Sequence, residues 1–337
     1  MTKSLRVGII APCSTVPALE FSVGEQHLRS HGFDVRTHPQ VLEHHFTFAG
    51  TDASRAAAFF DYASDPSLDI LWSARGGYGA SRLVRYLDQL TAQRGKPPHK
   101  LLIGYSDITV LHEYTRQVWG WSTLHSPMPA AADFTRLRES EWQNILSLAR
   151  GQFVDYPATD APLQPLANPS TKPIRAELIG GNLSLWAALV GTSHGPTPAK
   201  GRILFLEDVD EAFYRLDRMI TQVREGGLLD GAAAIVLGDM THCKDDVSTC
   251  LAPCTGDALQ TALDDPSKAP RIPLRKIHSY EEGIDHVFTS LAREMNIPLY
   301  QGLRVGHGPN FHPLPLGATY ELSPDHRLKL LNWDWTK

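Results

Sequence analysis

At 337 residues the chain is long enough for two domains, or one large one, with ample core. Apolar residues at 42% and charged residues at 20% are ordinary for a soluble globular protein, and a formal charge of -5 gives no electrostatic case for binding nucleic acid or an anionic membrane surface. Four cysteines, Cys13, Cys243, Cys250 and Cys254, are too few and too uneven for a disulfide scaffold, and no apolar run approaches the ~20 residues that span a bilayer.

Val7-Gly-Ile-Ile-Ala-Pro12, behind Lys3 and Arg6, is too short for a signal-peptide core, so a cytoplasmic protein is expected. The run instead belongs to a first strand, Leu5 to Ile10. Leu19 to Ser30 has helical patterning and stops at Gly32. Phe33 to Thr37 is a second strand, and Thr51-Asp-Ala-Ser54 caps a helix over Ala56, Phe59, Phe60 and Tyr62. Leu68 to Trp72 is a third strand, followed by the loop Ser73-Ala-Arg-Gly-Gly-Tyr-Gly79 and a helix from Ala80 to about Leu90. Leu101 to Gly104 is a fourth strand. Val110, Leu111 and Tyr114 then recur at helical spacing from Ile108 onward, leaving Tyr105-Ser-Asp107 as a sharp turn.

Strands alternating with helices of this length predict βαβ units and a parallel sheet, where ligands bind at the carboxyl ends of strands. The Arg75–Gly79 loop and the Tyr105–Asp107 turn both fall at that edge. Residues 151–173, with Pro157, Pro162, Pro165, Pro169 and Pro173, read as a crossing between a first domain, 1–150, and a second, 174–337. The second half opens with a strand from Ile174 to Leu178, a turn at Gly180-Gly-Asn182 and a helix through Leu185 and Leu189. Gly201 to Glu207 is a strand ending in an acid. Asp210 to Arg224 is a helix with Phe213, Leu216, Met219, Ile220 and Val223 inward, and Ala232 to Leu237 is another strand. His242 to Lys276 reads as an extended loop, Ile284 to Met295 as a helix, and Leu303 to His307 as a strand end or turn. Thr319–Leu322 and Arg327–Leu331 read as a hairpin.

A serine on a tight strand-to-helix turn has the form of a nucleophile elbow, although Ile108 stands where the elbow pattern has its second glycine. Ser106 or Asp107 equally suits a helix cap. Serine needs a base to take its proton and an acid to orient that base. Glu207 and His307, the latter in Gly306-His-Gly-Pro309, follow Ser106 in the nucleophile–acid–base order of elbow hydrolases. Order alone decides little among fifteen histidines. Glu207 also opens an acidic cluster that suits a helix N-terminus, and His307 suits a plain turn.

Five ordered segments carry a specific resemblance: Ala74-Arg-Gly-Gly-Tyr-Gly-Ala-Ser-Arg82, Gly104-Tyr-Ser-Asp-Ile-Thr109, Gly180-Gly-Asn-Leu-Ser184, Phe205-Leu-Glu-Asp-Val209 with Tyr214-Arg-Leu-Asp217, and Gly306-His-Gly-Pro309. In this order they resemble the LD-carboxypeptidases, serine peptidases that release terminal D-alanine from murein tetrapeptides. The resemblance covers essentially the whole chain. It implies Ser106 as nucleophile, His307 as general base, Glu207 as orienting acid, and the backbone N–H groups of Gly77 and Asp107 as oxyanion hole, with Gly76 as the alternative to Gly77. It also implies an α/β fold with a flavodoxin-like N-terminal sheet, a C-terminal swivelling β-barrel-like domain, a homodimer, and no cofactor. A carboxypeptidase must hold a terminal carboxylate, for which Asn182 is the first expectation, with Arg75 and Tyr214 behind it.

The resemblance weakens between Met240 and Glu282, where the chain is longer than expected. His242, Cys243, Cys250 and Cys254 there match no standard zinc-ligand spacing, so no metal is expected. A related branch resembling microcin-immunity proteins cleaves peptidyl and aminoacyl adenylates, a competing activity that would use Trp186 or Tyr214 to stack adenine. The Arg75–Gly79 form favours the murein branch. A non-catalytic nucleotide- or sugar-binding module would want a glycine fingerprint after the first strand, and Ala11-Pro-Cys-Ser-Thr-Val-Pro17 has none.

Overall fold

A computed structural model describes residues 5–131, 134–152, 161–244, 250–251, 256–269, 271–272, 279–308 and 311–336. Strands β1 (Arg6–Ile10), β2 (Asp34–Thr37), β3 (Ile70–Ser73), β4 (Leu101–Gly104) and β5 (Ser122–His125) run parallel in the order β2-β1-β3-β4-β5. That is the flavodoxin order. Every residue of β3 and β4 is buried, because helices cover both faces of the sheet. Alternation divides the side chains between those faces. Ile9, Trp72 and Ile103 pack with Phe21 and Leu28 of α1 (Ala18–Ser30) and, further along the chain, with Trp142 and Ile145. Ile10, Leu71 and Leu102 pack with Phe59 and Phe60 of α2 (Asp52–Ser64), Leu87 of α3 (Val84–Arg94), and Val110, Leu111 and Tyr114 of α4 (Thr109–Tyr114). Trp142 and Ile145 lie on α5 (Glu139–Ala149).

The second sheet is mixed. It takes β6 (Gln164–Ala167), β7 (Ile174–Asn182), β8 (Ile203–Val209) and β9 (Ala234–Thr241), while β10 (Cys250–Leu251) and β11 (Arg271–Ile272) form a separate two-stranded ribbon. With β12 (Leu299–Gln301), β14 (Thr319–Leu322) and β15 (Leu328–Leu330) the order is β15-β14-β7-β8-β9-β12-β6, after β13 (Leu314–Leu316) has crossed back to pair antiparallel with β5. The sheet curls as a half-barrel, and Leu163 N–H beside β6 reaches His326 C=O in the β14–β15 hairpin at 2.8 Å. Leu204, Leu206, Ile235 and Leu237 face α6 (Leu183–Ala188), α7 (Phe213–Glu225) and the helical run 280–295. Phe205, Val236 and Tyr300 face the other way, into the same core as Trp72 and Ile103. The two sheets therefore share one apolar interior. The chain's last residues return to the first sheet, where Trp333 and Trp335 donate their indole N–H groups to the Leu148 and Ala149 carbonyls that end α5.

Several expectations differ from this outcome. Gly180 and Gly181 are not a turn but lie inside β7, with φ of 130° and 147°. Residues 164–167, expected in the interdomain crossing, form β6. The expected extended loop from His242 to Lys276 contains β10, β11 and the helix Asp257–Asp264. β5 and α5 occupy a stretch where no element was expected. The inward face of α7 is buried through Phe213, Leu216, Ile220 and Val223 as its spacing predicts. Among the described residues no helix is long and apolar enough to cross a membrane.

Candidate active site

β4 stops at Gly104, and two residues later Ser106 adopts φ 62°, a left-handed conformation that costs a non-glycine residue about 1 kcal/mol or more. A short 3-10 turn, Ser106–Ile108, then leads into α4. The capping alternative is not realised. Neither Ser106 nor Asp107 caps α4, whose first turn has no side-chain cap. The Asp107 carboxylate points elsewhere and accepts the Ala80 N–H at 2.8 Å. Burial pushes its pKa up, against the hydrogen bonds from Ala80 N–H and the Cys13 thiol.

Ala80 closes the Arg75–Gly79 loop, so this bond ties the loop to the elbow. A Cβ at Gly76 would lie 3.3 Å from Ser106 Oγ, which puts the Gly76 backbone directly against the serine hydroxyl. Gly77 follows with φ 103° beside Ser14, whose Oγ accepts the Tyr78 N–H at 3.0 Å. Arg75 donates to the Thr15 carbonyl at 2.9 Å. Arg55, fully buried, donates to the carbonyls of Pro12 and Gly79 and pairs with Asp52 at 2.5 Å. Asp52 is also held by Arg82 at 2.8 Å. The glycine loop is thus fastened from three sides before any ligand arrives.

The second sheet brings the acid and the base. β8 carries Glu207, fully buried, and its Oε2 lies 2.8 Å from Nδ1 of His307, whose side chain keeps 17% exposure. With Nδ1–H donating to that carboxylate, Nε2 is left with the lone pair a base needs. The Tyr105 ring, just before Ser106, packs 4.9 Å from the His307 ring, so elbow and imidazole are neighbours. Burial opposes the imidazolium and is the largest single influence on His307. The hydrogen bond to Glu207 and the charges of Glu207, Asp208 and Asp210 together outweigh it, leaving the pKa raised.

Two carboxylates beside Glu207 escaped the sequence reading. Asp239 accepts the Gly308 N–H, and its pKa is pushed up to about 6 by burial and then by Glu207. Asp208 accepts from Asn182 Nδ2 at 3.1 Å and from Ser184 N–H at 2.9 Å, and burial, then Glu207, likewise push it up to about 6. For Asp239 the signal was the pair of glycines flanking His307. A Cβ at Gly306 would sit 2.8 Å from Glu207 Oε2, and one at Gly308 would strike Asp239. Glycine on both sides lets two carboxylates close on the turn that presents the imidazole.

Of the remaining expected residues, Asn182 is buried: its Oδ1 caps α6 through Leu185 N–H at 3.3 Å, and Nδ2 donates to Asp208. The structure gives it a positioning contact in place of a free amide for a ligand. Tyr214 stands 59% exposed, with Arg215 and Arg218 beside its ring. Trp186 is wholly buried in the second core, so it has no free face for an adenine. Cys13 and Cys243 are free and buried, and burial pushes the Cys243 thiol up to about 12. Cys254 lies outside the described residues.

The junction between sheets depends on Gly181. Its N-terminal neighbour and itself turn β7 so that Asn182 N–H donates to Thr109 Oγ1 at 3.1 Å, one turn beyond Ser106, while Asn182 pairs with Glu207 across the β7–β8 ladder. A Cβ at Gly181 would lie 2.7 Å from Thr109 Oγ1, at a φ hostile to other residues. Gly181→Ala is therefore expected to push the elbow helix off the acid's strand. Stability should fall by about 1–3 kcal/mol and turnover by about 100-fold, checked by urea unfolding and steady-state kinetics.

Sequence profiles describe this arrangement in two parts. The profile of the LD-carboxypeptidase N-terminal domain matches residues 7–126, and that of the C-terminal domain matches residues 175–322. A Streptomyces coelicolor protein named a carboxypeptidase is 39% identical over 71% of this chain and 76% of its own. The murein tetrapeptide carboxypeptidase of Pseudomonas aeruginosa is 29% identical, covering 93% of this chain and 92% of its own. Among solved structures, the muramoyltetrapeptide carboxypeptidase from Oxalobacter formigenes superposes with a TM-score of 0.71 at 26% identity, over 98% of this chain and 100% of that one. The microcin C7 self-immunity protein shares the fold, with a TM-score of 0.74 at 17% identity over 100% of this chain and 98% of that one.

Proposed function

The chain belongs to the LD-carboxypeptidase family, and we propose that it is a serine peptidase releasing terminal D-alanine from murein tetrapeptides. The observation that carries the serine assignment is the Glu207–His307 hydrogen bond at 2.8 Å beside a serine held at φ 62°. A strained serine on an elbow, an imidazole and the buried carboxylate hydrogen-bonded to it are the groups that serine acyl transfer requires.

In this reading His307 Nε2 takes the Ser106 proton as Oγ attacks the carbonyl before D-alanine. The oxyanion is held by the backbone N–H groups of Gly77 and Asp107, each worth about 10²–10³ in rate. As the tetrahedral intermediate collapses, the C–N bond breaks and the proton on Nε2 passes to the leaving amine. Water then attacks the acyl carbonyl and gives its proton to the same nitrogen; as the ester C–O bond breaks, that proton returns to Ser106 Oγ and the tripeptide leaves. Glu207 stabilises the imidazolium in both halves. A role in peptidoglycan recycling and a homodimer belong to the same reading, the latter to be checked by light scattering.

The test is mass-identified D-alanine release from murein tetrapeptide, run beside hydrolysis of an aminoacyl-sulfamoyl adenosine. Release from the tetrapeptide with no action on the nucleotide is the expected result. The reverse pattern would move the chain to the acyl-adenylate branch, which the burial of Trp186 does not favour.

A further inference from the structure

Next to the base is a cavity of about 310 Å³, lined by Pro127, Phe134, Leu137, Phe311, His307 and Arg136 among others. It stands at the small end of the range for small-molecule sites. Its place in the sheet is informative. β3 and β5 flank β4, so the glycine loop after β3 and the residues after β5 stand on opposite sides of Ser106. The β3 side carries Gly76 against the serine hydroxyl. The β5 side carries Pro127, Phe134 and Arg136 against His307.

We propose that this cavity is the leaving-group subsite and that Arg136 anchors the terminal carboxylate there. The inference rests on the peptidase reading and deepens it. In acyl transfer the imidazole that took the serine proton must hand it to the leaving amine, so the leaving residue lies within hydrogen-bond reach of His307. A cavity walled by His307 is where that residue fits. Its apolar walls suit a methyl side chain, and its size suits one residue better than the tripeptide that stays on the serine. Among the described residues that line it, Arg136 alone carries a permanent charge, and it is exposed at the rim. A guanidinium meets a carboxylate through two parallel N–H···O bonds, which a carboxamide cannot reproduce with the same charge.

The experiment compares release of D-alanine from a murein tetrapeptide with release of D-alaninamide from its C-terminal amide, by wild type, Arg136→Gln and Arg136→Lys. Wild type should prefer the free acid. Arg136→Gln should lose about 10- to 100-fold in kcat/KM on the acid and stay near wild type on the amide, with Arg136→Lys in between. Wild-type turnover of the amide by the same variants is the control that they are folded. Equal losses on acid and amide, or no loss on either, would overturn the anchor while leaving the peptidase standing. A wild type that turns over neither substrate overturns both.

Discussion

Ser106→Ala is expected to reduce D-alanine release by about 10⁴–10⁶, and Ser106→Gly to do the same while unfolding at higher urea than the alanine variant. The two substitutions remove the same hydroxyl but differ in backbone. At φ 62° a Cβ is held where L-residues are disfavoured, and glycine escapes that cost. The difference between the variants should be about 1 kcal/mol in favour of glycine, although part is offset by glycine's greater freedom when unfolded. Such a result would mean that the fold stores strain at the elbow to present the hydroxyl. Substantial turnover by Ser106→Ala would remove the serine from the mechanism. Equal stability of the two variants would leave the nucleophile in place but deny the strain.

The elbow was visible in the sequence because it is local. Four apolar residues, a three-residue gap and helical spacing after it define a strand, a turn and a helix without outside help. The parallel sheet followed from the alternation of such units, whereas its flavodoxin-like order was only what the resemblance implied. The features that escaped are those set by distant partners. β5 reads Ser122-Thr-Leu-His125, too polar for a buried strand by pattern, yet three of its four residues are buried between β4 and β13. β13 reaches it from 189 positions away, Leu314 opposite His125, and nothing in Leu314-Pro-Leu316 announces that pairing.

The site divides the same way. Glu207 was legible as an acid ending an apolar strand, whereas Asp239 and Asp208 look like ordinary polar residues until the Gly306–Gly308 turn and β7 close on them. Asn182 suggested a ligand contact because an amide beside two glycines serves equally as a binding group or a helix cap, and only burial distinguishes them. Arg136 sits in one isolated 3-10 turn, Phe134–Arg136, with no periodicity to place it. Its proximity to His307 is a product of the fold.

Glu207→Gln is expected to lower kcat by about 10³–10⁴ and to move the acidic limb of the pH profile downward. His307 must be neutral to act as base, so activity rises as pH climbs through its pKa. In the wild type that pKa is raised, because Glu207 and its acidic neighbours outweigh burial. A neutral amide removes the main opposing charge and leaves burial, which favours the neutral ring, so the limb should fall at lower pH even as the maximum rate collapses. Stability carries the same signature with its own sign. A histidine whose folded pKa exceeds its unfolded value of about 6.5 adds stability that is fully present below that value and is lost as pH rises through the folded pKa. Wild type should therefore lose this contribution on going from mildly acidic to alkaline pH, and Glu207→Gln should not. The limb should also be shallower than one proton allows, since Asp208, pushed up to about 6, takes a proton over nearby pH and weakens its hold on His307. An acidic limb at the same pH in both proteins would show that Glu207 does not set the charge on the base, and the triad would lose its third member.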